Sequence, residues 1–385
     1  MNSRALPIAV LFAVAAACLY FLLGAPSPPT IIPLNSPSGT ASSGITQPAS
    51  VAGETSTLEK VPGESMGKPG VNWARLSGLM SADGKSGNSI PEATTEDIER
   101  FVAKHGETAA NLIAAFQNTR DRRWLDRALG LFPNSPLVLM EAIQARPDGA
   151  VKTDGTDHQP DKERLEIIER FKAADPGNPV PWIFAAQELF KAKQTEGGIA
   201  EIRAALDRPA FYTFSNERMD AAQRLYESLG LDPLEASALA MFGITLPHMT
   251  AAQQASRGIM EWQKSAAESG DAAAAEDALR LTYGLGRMFA TPEASRFLVG
   301  QLVGISMEKR VLEALPADAQ RDWLPIAPAQ RLAEIERQKL AVREAAAATD
   351  WVMQTRDEQL FAEWLRRFRN EGESGTLNWV NARRK

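Results

Sequence analysis

The sequence predicts an all-α protein, and three observations carry that prediction. From Thr94 to the C-terminus, apolar residues recur three and four apart, the spacing of one helix face. Short Pro/Gly turns cut this pattern into helix-length pieces, many opened by an N-cap residue. No stretch alternates apolar and polar residues as a half-buried strand would.

The bulk properties set limits on function. The chain has 385 residues, enough for two average domains. Hydrophobic residues make up 44% and charged residues 23%. Both shares are ordinary for a globular protein. The net charge of −6 gives no global basic field. Nucleic acid is therefore not an expected partner. Cys18 is the only cysteine. The chain thus has no intrachain disulfide and no thiolate metal site.

Arg4 precedes Ile8 to Gly24, an apolar run without a single charge. No Lys or Arg occurs from Ala25 to Glu59. This asymmetry predicts a single-pass segment in a cell (inner) membrane, N-terminus cytoplasmic, with the bulk of the chain periplasmic or otherwise extracytoplasmic. Residues 1–24 are expected to remain as an anchor. The alternative is cleavage near Gly24–Ala25, which would make the protein secreted. Lipidation at Cys18 is a third fate, and the residues around it match that signal poorly. Residues 25–91, rich in Pro, Ser, Gly and Thr, read as a disordered linker. Within the linker, Val71 to Met80 has the makings of a short docking helix.

The helices follow in order. Thr94 and Asp97 fit a capping box ahead of the stripe Ile98, Phe101 and Val102. Helices are then expected over Glu107–Gln117, Arg122–Leu131, Pro136–Ala145, Asp161–Ala173, Val180–Lys193, Glu196–Asp207 and Asn216–Leu229. Asp232-Pro233, directly after Gly230, supplies a helix stop and a new start for Pro233–Phe242. Thr250–Ser269, Ala272–Phe289 and Pro292–Leu315 follow, the last opened by Thr291-Pro292-Glu293. Ala329–Arg369 reads as one long helix or as two broken near Asp350 or Thr355. Residues 146–160, polar and turn-rich, read as a surface loop.

Helix, proline turn, helix recurs at Pro133, Pro176 and Pro209. The longer first step is accounted for by the loop over residues 146–160. Trp182 opens one first helix, and Ala185, Ala186 and Leu189 follow it. Gly198, Ile202 and Ala205 follow in the second helix. These residues resemble the tetratricopeptide repeat, a helix–turn–helix unit of about 34 residues. The match is best over Pro179–Pro209 and covers about Glu107 to Pro209. The resemblance implies stacked hairpins, Trp182 packed between them, and a groove for a peptide. Gln187, Glu188 and Lys191 are the candidate groove residues under that reading. An irregular helical bundle is the alternative architecture. The expected organisation is a repeat region over residues 92–230 and a C-terminal helical region over residues 231–385.

Catalytic and ligand motifs do not survive their context. Gly63-Glu64-Ser65-Met66-Gly67 has the nucleophile-elbow pattern but lies in the linker, with no strand before it. Gly84-Lys85-Ser86 lacks the upstream glycine of a phosphate loop. Tyr283-Gly284-Leu285-Gly286 reads as close helix packing. His105 sits at a helix end, and His248 follows Pro247 in an expected turn. His158, with Asp154, Asp157 and Asp161, lacks the spacing of a calcium loop. No catalytic, cofactor-binding or metal residue is therefore assigned, and no cofactor is expected. The C-terminal stripe Leu360, Phe361, Trp364, Leu365 and Phe368, flanked by Arg366, Arg367 and Arg369, either caps the helical body or lies on a membrane or partner. The expected function is a membrane-tethered interaction scaffold or adaptor with a protein or peptide partner. The rivals are an all-helical enzyme with a carboxylate site and a structural envelope spacer.

Overall fold

A computed structural model describes residues 71–80, 93–146, 159–208, 211–290 and 296–384. The expected anchor, most of the linker, the two glycine-rich motifs within it and the His158 cluster, apart from Asp161, lie outside these residues. Every regular element among the described residues is an α-helix. None of these helices is long and apolar enough to cross a membrane.

Local chemistry sets the helix ends. The Val71–Met80 segment forms helix α1, Trp73–Met80. Helix α2, Thr95–His105, opens with the capping box of Thr94 and Asp97. It closes at Gly106, whose φ is 84°. A left-handed residue of this kind favours glycine. Helix α3, Ala109–Thr119, starts later than the expected Glu107, because the Thr108 side chain accepts the Asn111 amide. Helices α4 (Arg122–Leu131), α5 (Pro136–Ala145), α6 (Lys162–Ala174), α7 (Val180–Lys191) and α8 (Thr195–Leu206) follow. Next come α9 (Ser215–Ser228) and α10 (Pro233–Phe242). Helix α11, Pro247–Glu268, begins at its proline, so His248 lies in a first helical turn rather than in a loop. Helix α12 is Ala272–Phe289.

Helix α13, Leu298–Glu313, starts later than the expected Pro292, because Phe297 is extended. The Glu373 carboxylate accepts the Leu298 amide at 2.7 Å. It thereby caps this helix from the far end of the chain. Helix α14, Pro328–Thr355, stops where Arg356 turns left-handed, at one of the two expected breaks. Helix α15, Glu358–Arg384, runs well past the expected Arg369 and is kinked at Gly372. A Cβ there would meet the Arg296 carbonyl oxygen at 3.1 Å, and φ is 74°. Both conditions call for glycine.

Neighbours in sequence pair as hairpins: α3 with α4, α5 with α6, α7 with α8. Helix α7 also packs on α6 and on α11. The series then breaks. Helix α9 turns back to pack on α2 and α3, and its partner α10 meets α1 and α15. The stack resumes with α11, which packs on α7 and α8, and with α12, which packs on α8 and on α13. The largest apolar cluster accordingly runs from Ile98 to Met307, across the expected boundary at residue 230.

Small residues set the close approaches. A Cβ on Gly258 or Gly198 would meet the Phe190 side chain at 2.5 and 2.9 Å. Helices α7, α8 and α11 therefore converge around that ring. Gly286 and Gly304 do the same for α12 and α13. A Cβ on either would lie 2.9 and 2.6 Å, respectively, from the other's carbonyl oxygen. The two glycines of the Tyr283–Gly286 stretch thus serve helix packing. Trp182 is buried in the largest cluster, with the Arg208 guanidinium over its ring at 4.1 Å. A cation over an aromatic face is attracted to it.

The C-terminal stripe caps the body. Leu360, Phe361, Trp364, Leu365 and Phe368 are all buried, in a second cluster that includes Val71 and Leu76 of the α1 segment. The Trp73 and Phe361 rings lie 5.2 Å apart. Arg366 and Arg367 pair with Glu363, and Arg369 pairs with Asp220. With its apolar face covered by protein, α15 has no stripe to offer a membrane surface.

Candidate functional site, an arginine-lined cleft

Where α12 crosses α8, the two helices and two loops enclose an open cleft of about 880 Å³. Helix α8 and the turn after it supply Arg203, Asp207, Arg208 and Phe211. Helix α12 supplies Arg280, Tyr283, Gly284, Arg287 and Met288. These residues share a face at helical spacing. Trp323 and Pro325, in the loop between α13 and α14, form the far wall. The floor is tight, since a Cβ on Gly284 would lie 3.2 Å from a Leu206 methyl.

The wall is anchored. The Trp323 indole N–H donates to Glu276 Oε1 at 2.9 Å, and Arg321 pairs with the same carboxylate at 2.8 Å. The rings of Trp323 and Tyr283 lie 5.5 Å apart. Tyr283 is buried, and its hydroxyl has no hydrogen-bond partner among the described residues. Burial first, and then the charge of Glu308, push this hydroxyl above the ordinary tyrosine range.

The charges are unevenly used. Asp277 accepts from both Arg203 and Arg280. Burial pushes the Asp277 carboxyl up, but those hydrogen bonds outweigh it and hold the group below its usual range. Arg208 stacks on Trp182 and donates to the Ala204 carbonyl. Arg287 is exposed, and its guanidinium has no ion pair or hydrogen bond among the described residues. The lining thus holds four arginines and one acid, Asp207, with Asp277 pairing two of the arginines from behind it. The cleft is cationic on a chain of net charge −6. Guanidinium groups grip carboxylates through paired N–H donors, and the aromatic walls take flat apolar groups. The arrangement is therefore one for binding an anion with an apolar body.

The expected groove residues are placed elsewhere. Gln187 is buried and donates to Gln254 Oε1 at 2.5 Å. Glu188 is buried between Arg164 at 3.1 Å and Lys191 at 3.2 Å. They tie α7 to α6 and α11, because the first helices of the hairpins face other helices rather than solvent. A polar seam continues beyond them. Arg218 of α9 lies 3.8 Å from Glu141 of α5 and donates to the Thr245 carbonyl and hydroxyl at 2.9 and 2.6 Å. Gln117 of α3 donates to Glu141 at 2.8 Å. Arg224 of α9 donates to Asn111, which itself holds the carbonyls of His105 and Gly106. Helix α9 thereby covers α3 and reaches α5, while α11 covers α7.

His248 is enclosed beside this seam. Its ring stacks on Phe289 at 6.1 Å, and the Phe211 ring meets it edge-on at 5.6 Å. Neither ring nitrogen has a hydrogen-bond partner among the described residues. His105 is the last residue of α2, as expected. Partial burial, then the neighbouring Lys104, hold it below the ordinary histidine range. No group of three or more His, Cys, Asp or Glu suited to a metal occurs among the described residues.

The cleft arginines were not legible as a site. Arg280 and Arg287 belong to no motif, and Arg203 lies 74 residues before Asp277. Only the return of α12 onto α8 brings them together. The fold and the cleft define an all-helical protein of packed hairpins with an arginine-lined cleft. No family model, no curated protein and no solved structure matches the chain.

Proposed function

We propose that this chain is an adaptor that docks a protein partner in the arginine-lined cleft while its N-terminal segment holds it at a membrane, with the helical body extracytoplasmic. The observation that carries the reading is the cleft itself: open, cationic, walled by anchored aromatic rings, and holding Arg287 without an acceptor among the described residues. Hairpins α3/α4, α5/α6 and α7/α8 are read as divergent tetratricopeptide-like units. In support, Ile202 and Ala205 are buried and Gly198 lies under Phe190. Small and apolar residues at those places suit that unit. The docking surface differs from the one such units usually offer, because α9 packs over α3 and α11 packs over α7.

The binding reading is preferred over the enzyme reading by the fate of the buried acids. Glu141, Glu188, Glu235 and Glu308 are each paired with an arginine: Arg218, Arg164, Arg75 and Arg331. Carboxylates so committed do not converge on a common reacting centre.

Co-purification of the full chain from detergent-solubilised envelopes tests the adaptor reading. A discrete partner retained by the wild-type chain and lost with Arg287→Glu is the expected result. Recovery of nothing above background across a range of salt concentrations would reject it. Protease treatment of sealed vesicles of known orientation tests the placement. The body is expected to be digested only from the extracytoplasmic side.

A further inference from the structure

Resting on the adaptor reading, we infer that the ligand class of the cleft is an acidic peptide segment that also carries an aromatic or large aliphatic side chain. Three features select that chemistry. The first is the cation supply. Arg203 and Arg280 share Asp277, and Arg208 lies on Trp182. That leaves Arg287 as the exposed guanidinium with no acceptor among the described residues. One free fork, backed by partly neutralised neighbours, suits a side-chain carboxylate.

The second feature is the lining. Leu206, Phe211, Leu281, Met288, Trp323 and Pro325 make much of the surface apolar. A dense anion such as phosphate gains nothing from such walls, whereas a peptide side chain does. The third feature is shape. The concavity of about 880 Å³ receives a few residues of an extended or helical segment. A flat bilayer surface cannot enter it. Met288 adds an adaptable wall, and Gly284 leaves the floor without a side chain.

The test is fluorescence anisotropy with the full chain in a nonionic detergent. The probe is a fluorescein-labelled peptide alternating Glu with Phe and Leu. Comparison probes are the same peptide with Lys for Glu, and a polyglutamate peptide without rings. The Glu/Phe/Leu probe is expected to bind saturably and to weaken as salt shields the charges. Arg287→Glu is expected to weaken it about tenfold, the scale of one interfacial ion pair turned repulsive. Arg122→Glu, on the surface of α4, is expected to leave binding unchanged. The Lys probe is expected not to bind, and polyglutamate only weakly.

Absence of saturable binding overturns the inference. So does equal binding by wild type and Arg287→Glu, or equal binding of polyglutamate. Displacement of the probe by millimolar inorganic phosphate would mark the cleft as a small-anion site and overturn it as well. Capture of vesicles containing phosphatidylglycerol by wild type, lost in Arg287→Glu, would assign the cleft to a membrane instead. If the peptide fails while the full chain still co-purifies with a discrete partner, the inference falls and the adaptor reading stands.

Discussion

Replacing Arg331 with methionine is expected to lower the free energy of unfolding by about 3–5 kcal/mol. Glu308 lies on α13 and is fully buried, and Arg331 on α14 is its partner. Two guanidinium nitrogens reach the same carboxylate oxygen, each at 2.8 Å. Around the pair lie Tyr283, Val311, Leu312 and Ile335, all buried. Removing the cation leaves an ionised carboxylate in apolar surroundings, where it must take up a proton or open the packing. The pair itself is costly to desolvate. The double variant Glu308→Leu/Arg331→Met is therefore expected to recover most of the loss, coming within about 1–2 kcal/mol of wild type. Chemical denaturation of the wild type and both variants checks this. A single variant as stable as wild type would show that the pair is open to water.

The second large effect is an acid limb set by His248. Burial, and then the positive charge of Arg218, hold its pKa down to about 3, against 6.5 for a free histidine. Between these values the unfolded chain binds a proton that the folded chain does not. Stability is therefore complete above about pH 6.5 and falls as pH drops toward 3. From pH 7 to pH 4 this one residue accounts for about 3 kcal/mol. His248→Phe, which keeps a ring between Phe211 and Phe289, is expected to flatten that limb while leaving stability at neutral pH largely intact. Equilibrium unfolding at pH 7, 5.5 and 4 compares the two chains. Identical pH profiles would contradict the enclosed, uncharged ring.

Much of the architecture was legible because short-range chemistry specifies it. The capping box at Thr94 and the prolines opening α5 and α10 mark helix starts without help from distant residues. The aromatic stripe of α15 likewise announces a buried face, and the second apolar cluster covers it. The features that were not legible depend on long-range packing. Glu373 caps α13 across the chain, and nothing near Leu298 signals that start, while the expected cap Thr291-Pro292-Glu293 lies outside the described residues. Gly372 kinks α15 because the Arg296 backbone passes beside it, and nothing near residue 372 signals that. The packing of α7 between α6 and α11 is invisible to local periodicity, so Gln187 and Glu188 looked like exposed groove residues. The cleft was hidden for the same reason: its arginines are ordinary helix-surface residues until α12 lies on α8.

A partner docked in the arginine-lined cleft lies against Pro325 on its wall. The most direct measurement places a photoreactive residue at Pro325, on the cleft wall, in the full chain in its own membranes. A second chain carries the same probe at Lys264, which is exposed on α11. A discrete adduct is predicted from position 325, disappearing when Arg287→Glu is added, with no such adduct from position 264. No adduct at 325, or the same adduct from both positions, would contradict it.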